Sequence, residues 1–222
     1  MENKKTYGFG QSTYGFESCI DILGISRNIM LKVIDLNLIS YTGGDNAENR
    51  QYSGWDIEYL LSARNKPLRI KDDEKVLVCS MKAQDNNITK GLEVNSTWEL
   101  YFDFLRLLKN KLDKETFNKI LSKQYEIAGE WRVKEEDSKF LVENSSILVA
   151  SYGGFVLGGG RLIKEIELNE DEKGMFCSKG GRFYIFEPFN SQDKFNYGHC
   201  YLSSKPGPAN KVYTGKELKE SF

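Results

Sequence analysis

Residues 21–40 read DILGISRNIMLKVIDLNLIS, two short apolar-periodic runs separated by Gly-Ile-Ser-Arg-Asn. Outward on the N-terminal side, Phe16 to Leu23 suits a short helix with Cys19, Ile20 and Leu23 on one face. Gly24 ends it, because glycine tolerates the positive φ of a helix terminus. Ser26 is placed to N-cap a second helix. In that helix Ile29, Val33 and Leu36 fall at i, i+4 and i+7, which predicts the buried stripe. Arg27, Asn28, Leu31, Lys32 and Asp35 are then left facing outward. Asn37 fits a left-handed stop.

Further along, Gly43-Gly44 and Asp45-Asn46 carry turn chemistry. They predict a two-stranded wing, with the glycines letting its tip approach another backbone closely. Ser53 can cap a third helix whose apolar positions are Ile57, Leu60 and Leu61. Pro67 and the charged run "KDDEK" break the pattern, which sets a domain boundary near residue 70.

The stretch "ESCIDILGISRNIMLKVIDLNLIS" resembles the helix-turn-helix of the MerR and phage-excisionase superfamily. Cys19 and Ile20 occupy its small-residue positions, Leu23-Gly24-Ile25-Ser26 its turn, and Asn37 the place of its usual Gly. "ENRQYSGWDIEYLL" resembles the family's Arg-x-Tyr-Ser-x-x-Asp-Leu-x-x-Leu through Arg50, Tyr52, Ser53, Asp56, Ile57 and Leu60. The likeness covers about residues 14–62. It implies that residues 1–70 are a winged helix-turn-helix that binds double-stranded DNA. The chain departs from classical MerR regulators in having Leu31-Lys32-Val33 where they carry an Arg-Tyr-Tyr run. It also lacks the long heptad helix on which their coiled-coil dimer depends.

A recognition helix of this kind lies in the major groove with its N-terminal residues at the base edges. Arg27 matches the two acceptors of guanine and Asn28 the donor–acceptor pair of adenine. Lys32 suits a phosphate, which positions the helix without reading sequence. Arg50 suits the minor groove or a phosphate. The expected DNA-binding set is Ser26, Arg27, Asn28, Leu31, Lys32 and Arg50. Residues 1–70 hold eight Lys/Arg and eight Asp/Glu, so the unit is neutral. About three phosphate contacts per subunit predict a shallow salt slope. A homodimer would double them.

Residues 71–222 are expected to be an α+β domain with a β-rich end, serving effector binding (a small molecule or a protein) or oligomerisation. "KVLVCSMKA" (75–83) reads as a strand. The segment from Asn95 to Trp131 reads as two helices. The first is capped by Ser96 or Thr97 and carries Trp98, Tyr101, Leu105, Leu108 and Leu112 at helical spacing. The second is capped by Asp113, with Phe117, Ile120 and Leu121 inward. "SSILVASY", "FVLGGGRLIKEIEL", "GMFCS" and "RFYIFEPF" read as strands, the last two joined by Lys-Gly-Gly as a hairpin. A short helix ends the chain. "YGGFVLGGGR" lacks the Gly-Lys-Ser/Thr of a phosphate loop and reads as interrupted strand.

The overall expectation is a cytoplasmic, non-enzymatic transcriptional regulator with no cofactor and no metal. At 40% apolar and 13% aromatic residues the chain can build a core. Its apolar runs are too short to span a bilayer, and "MENKKTYGFGQ" lacks the apolar stretch of a secretory signal. Cys19, Cys79, Cys177 and Cys200 stand singly, which points to free thiols. Two other classes stay open. One is a Mg²⁺-dependent site-specific endonuclease using carboxylates from "RLIKEIELNEDEK", although solvent-facing alternation is the commoner cause of Glu165 and Glu167. The other is a phage or mobile-element protein-interaction module. His199 beside Cys200 cannot build a metal site alone.

Overall fold

The computed structural model describes residues 5–7, 11–66, 68, 70–80, 98–152, 154–176, 181–190 and 210–219. Among the described residues the chain is mixed α+β, with two separate sheets. The first is built from β1 (Lys5–Tyr7), β2 (Gln11–Tyr14), β3 (Tyr41–Thr42) and β4 (Gln51–Ser53), in the order β1-β2-β4-β3 and antiparallel throughout. Helices α1 (Phe16–Leu23) and α2 (Arg27–Asp35) lie between β2 and β3 in the chain, and α3 (Gly54–Arg64) follows β4.

Local chemistry sets these helix limits. Gly24 closes α1 in the left-handed region at φ 56°. A Cβ there would stand 2.6 Å from Nη1 of Arg64, the end of a flexible side chain that can move aside, so it is the backbone conformation that favours glycine. The Ser26 hydroxyl accepts from the amide of Ile29 at 3.3 Å and caps α2. Asn37 takes φ 54° after its last turn, as the sequence predicts. The stripe on α2 differs from the expectation. Met30, Val33 and Ile34 are buried, while Ile29 and Leu36 are only partly so. Leu36 falls on the C-cap beyond the end of α2 at Asp35, and packing in the shared core selects the stripe of Met30, Val33 and Ile34 instead. Leu31, expected to face outward, is half-buried against the same cluster. Met30, Val33 and Ile34 join Phe16, Cys19, Leu23, Tyr52, Ile57 and Leu60 in one core.

The second sheet has the order β10-β5-β7-β8-β9-β6. Its strands are β5 (Lys75–Ser80), β6 (Glu126–Trp131), β7 (Ile147–Tyr152), β8 (Phe155–Ile166), β9 (Arg182–Pro188) and β10 (Asn210–Thr214). β5 and β7 run parallel and the other neighbours antiparallel. Helices α4 (Trp98–Lys111), α5 (Lys114–Leu121), α6 (Glu135–Glu143), α7 (Glu170–Phe176) and α8 (Gly215–Lys219) complete it. Side chains alternate across β9, as the strand period of two requires. Phe183 and Ile185 pack with Phe104 and Leu108 of α4, whereas Tyr184 and Phe186 pack with Leu141 of α6. Burial on both faces explains why "FYIF" is continuously apolar.

The Gly-rich run lies inside β8, where a Cβ on Gly160 would fall 2.1 Å from the carbonyl oxygen of Glu187. Register shifts interrupt its pairing with both neighbours. Three expectations are corrected. "YEIAGEW" is strand β6 rather than the end of a helix, because it pairs with β9. The first part of "GMFCS" is helical, since Gly174 to Phe176 end α7; Cys177 and Ser178 lie outside the described residues, as do Lys179 and Gly180 of the expected hairpin. Leu121 is 58% exposed at the end of α5 rather than inward. The expected caps Ser96 and Thr97 also lie outside the described residues. Among the described residues, no helix is long and apolar enough to cross a membrane.

Phe155, at the start of β8, is buried in the core formed by α1, α2 and α3, so the two sheets share an apolar anchor. Phe155→Ala should cost about 3–5 kcal/mol. Hydrogen exchange should speed up in α1 and α3 as well as at the β7–β8 turn. Faster exchange confined to that turn would show that the anchor carries no load.

Candidate nucleic-acid interface

The residues that match the Arg-x-Tyr-Ser-x-x-Asp pattern each hold one part of the N-terminal unit in place. Arg50 donates from Nε to the carbonyl of Gly44 at 3.3 Å and from Nη2 to that of Asp45 at 3.2 Å. Its guanidinium also lies 4.0 Å over the Tyr41 ring. Arg50 thus fixes the loop between β3 and β4, where Gly44 takes φ 61° and its missing Cβ leaves room for Asn49. The hydroxyl of the buried Tyr52 donates to the carbonyl of Ala47 at 2.7 Å. Ser53 caps α3 by accepting from the amide of Asp56 at 3.4 Å. The Asp56 carboxylate accepts from the Ser40 amide at 2.7 Å and ties the start of α3 to the chain leaving α2.

Burial of Met30, Val33 and Ile34 fixes the rotation of α2 about its axis. Ser26, Arg27, Asn28 and Lys32 are exposed, with Asp35 beside them. Leu31 contributes only a partly open flank. Arg50 is half-buried at the base of the hairpin. The six expected residues therefore occupy one helix and the adjoining hairpin.

Arg27 is engaged more closely than the sequence indicates. Nη1 donates to Oε1 of Glu17 on α1 at 3.0 Å, and Nη2 donates to Oε1 of Glu48 in the loop between β3 and β4. The Phe16 ring lies 5.0 Å from its guanidinium carbon. Each ion pair is open to water, with half of the Arg27 side chain exposed, and contributes about 0–1 kcal/mol. Reading the sequence does not find these partners, because Glu17 and Glu48 lie 10 and 21 residues from Arg27.

Glu165, Glu170 and Glu172 of the C-terminal half are engaged by neighbouring side chains and amides. Glu165 accepts from Nη1 of Arg182 and from the Ser138 hydroxyl, both at 2.5 Å. Tyr184 donates to Ser138 at 2.9 Å. Glu165 therefore belongs to a partly buried network that joins α6 to the sheet, which corrects its assignment to solvent-facing alternation. Burial raises the Tyr184 phenol well above its ordinary value. Glu172 accepts from the Asn169 amide and from Lys111, each at 2.8 Å, and the Lys111 contact lowers its pKa. Lys173 pairs with Glu170 at 2.8 Å, and Glu167 and Asp171 are exposed. Among the described residues no three His, Cys, Asp or Glu side chains gather to hold a metal ion. Cys177, His199 and Cys200 lie outside the described residues.

No protein-family model, curated protein or solved structure matches this chain.

Two buried groups tie the stability of the N-terminal unit to pH. Burial pushes the Cys19 thiol from 9.0 up to about 12, and the Tyr52 phenol from 10.0 up to about 12. Both are neutral when folded, so the unfolded chain ionises first as pH rises. Their contribution is complete below pH 9.0 and is lost on the way to about 12. Urea midpoints measured across that interval should fall, and Tyr52→Phe should flatten the decline. A Tyr52→Phe variant with the parent's full pH dependence would contradict this.

Proposed function

We propose that residues 1–70 form a winged helix-turn-helix and that the chain is a sequence-specific DNA-binding transcriptional regulator of the MerR/excisionase-like type. One observation carries this reading. Met30, Val33 and Ile34 anchor α2 from behind, so Ser26, Arg27, Asn28 and Lys32 are left exposed. The β3–β4 hairpin stands beside them as the wing. Arg27 and Asn28 read base edges, whereas Lys32 holds backbone. Arg50 holds the wing in shape through the carbonyls of Gly44 and Asp45. Residues 71–222 take the effector or oligomerisation role, and a cytoplasmic homodimer supplies a second set of contacts.

A second reading is a protein-interaction module. The exposure of Trp55 and Tyr59, one turn apart on α3, favours it: they are 67% and 52% exposed. The endonuclease reading draws no support from Glu165 or Glu172, whose oxygens already accept from Arg182, Ser138, Lys111 and Asn169.

Selection of bound duplexes from a random pool separates these readings. The parent should enrich one motif. Arg27→Ala should blur one base position, at a cost of about 1–3 kcal/mol. Lys32→Ala should weaken all sequences alike and flatten the salt slope. Enrichment of the same motif, equally strongly, by both variants would reject the assignment of α2. No enrichment by the parent, together with a partner lost on Trp55→Ala, would favour the interaction module.

A further inference from the structure

We propose that Glu17 and Glu48 are specificity determinants that restrict Arg27 to an uncharged base edge and keep it off the phosphate backbone. This inference rests on the DNA-reading role proposed for α2. Both terminal nitrogens of Arg27 are occupied, Nη1 by Glu17 and Nη2 by Glu48, with the Phe16 ring beneath the guanidinium. These are the donors that a guanine edge or a phosphate would need. The two carboxylates come from different elements, α1 and the loop between β3 and β4. They grip the side chain from both sides at the N-terminal end of α2. One cation between two anions leaves a local excess of one negative charge.

That excess sorts the acceptors. Guanine offers one oxygen and one nitrogen acceptor and no net charge, so it can take both donors beside two carboxylates. A phosphate offers two oxygens with a full negative charge and meets repulsion from Glu17 and Glu48. The side chains are well exposed, at 52% for Arg27, 72% for Glu17 and 46% for Glu48, so the exchange is open to an incoming duplex. Sequence-independent binding to DNA is dominated by phosphate contacts. Holding the leading arginine away from them lowers background binding while leaving base reading intact. A neutral unit that must find one site among many gains from this arrangement.

The test compares the parent, Glu17→Gln, Glu48→Gln and the double variant, each with and without Arg27→Ala. Fluorescence anisotropy is measured on the selected duplex and on a scrambled duplex between about 50 and 200 mM salt. Thermal unfolding establishes that each variant is folded, and either single variant suffices if the double one is not. Neutralising each carboxylate should tighten binding to the scrambled duplex by up to about fivefold. The salt slope on that duplex should steepen by about one. Affinity for the selected duplex should change less, so the specificity ratio falls, and the gain should vanish when Arg27 is alanine. Equal tightening on both duplexes, no tightening, or a gain that survives Arg27→Ala would overturn the proposal, the last by showing a general charge effect. If the parent selects no duplex, the DNA-reading role fails and takes this inference with it. A clear motif with an unchanged ratio rejects this inference alone.

Discussion

The account depends on how α2 is rotated against its own core. Met30, Val33 and Ile34 pack on α1 and α3 through Cys19, Leu23, Ile57 and Leu60. Three buried side chains at i, i+3 and i+4 fix a nine-residue helix to within a fraction of a turn. Everything proposed for the outer face follows from that rotation. Asn28 and Lys32 are exposed because they lie opposite the anchors. Arg27 reaches Glu17 and Glu48 because the helix begins between α1 and the β3–β4 loop. A different phase would bury the charges and expose the core.

The second constraint is the hairpin. Its loop is long for two such short strands, and it keeps its shape through side chains bonded to backbone. Arg50 engages two loop carbonyls, Tyr52 engages a third, and Asp56 holds the amide of Ser40. Tyr41 and Tyr52 pack beside them, with ring centroids 6.1 Å apart and the planes tilted by 60°. Arg50 and Tyr52 act on carbonyls five or six residues away, and Asp56 reaches back 16 residues to Ser40. The pattern is legible as a motif, and its members also explain themselves physically.

What was legible in the sequence was what local chemistry decides. Gly24, Ser26, Asn37 and Ser53 mark helix ends through their own backbone or side-chain preferences, and the limits of α1, α2 and α3 follow from them. The phase of α2 did not follow, since its apolar residues support two stripes and only tertiary packing chooses between them. Strands β7, β8 and β9 were readable from their apolar runs. β6 was not, because its pairing with β9 lies far along the chain. α7 carries its own signal in the sequence: Asn169 accepts from the Glu172 amide at 2.9 Å while Glu172 accepts from the Asn169 amide, a capping box written as Asn-x-x-Glu. Of the proposed interface, the exposed residues on α2 were legible from their position after the turn. The carboxylates gripping Arg27 were not, because long-range contacts between exposed charges leave no periodic trace.

The most direct measurement of the central claim is a titration of ¹⁵N-labelled protein with its selected duplex, followed by amide chemical shifts. The account predicts that the largest shifts fall on Arg27, Asn28 and Lys32 and on the β3–β4 loop around Gly44 and Glu48, with the amides of Met30 and Val33 much less affected. Shifts confined to residues 71–222, or their absence from α2 at saturating duplex, would contradict it.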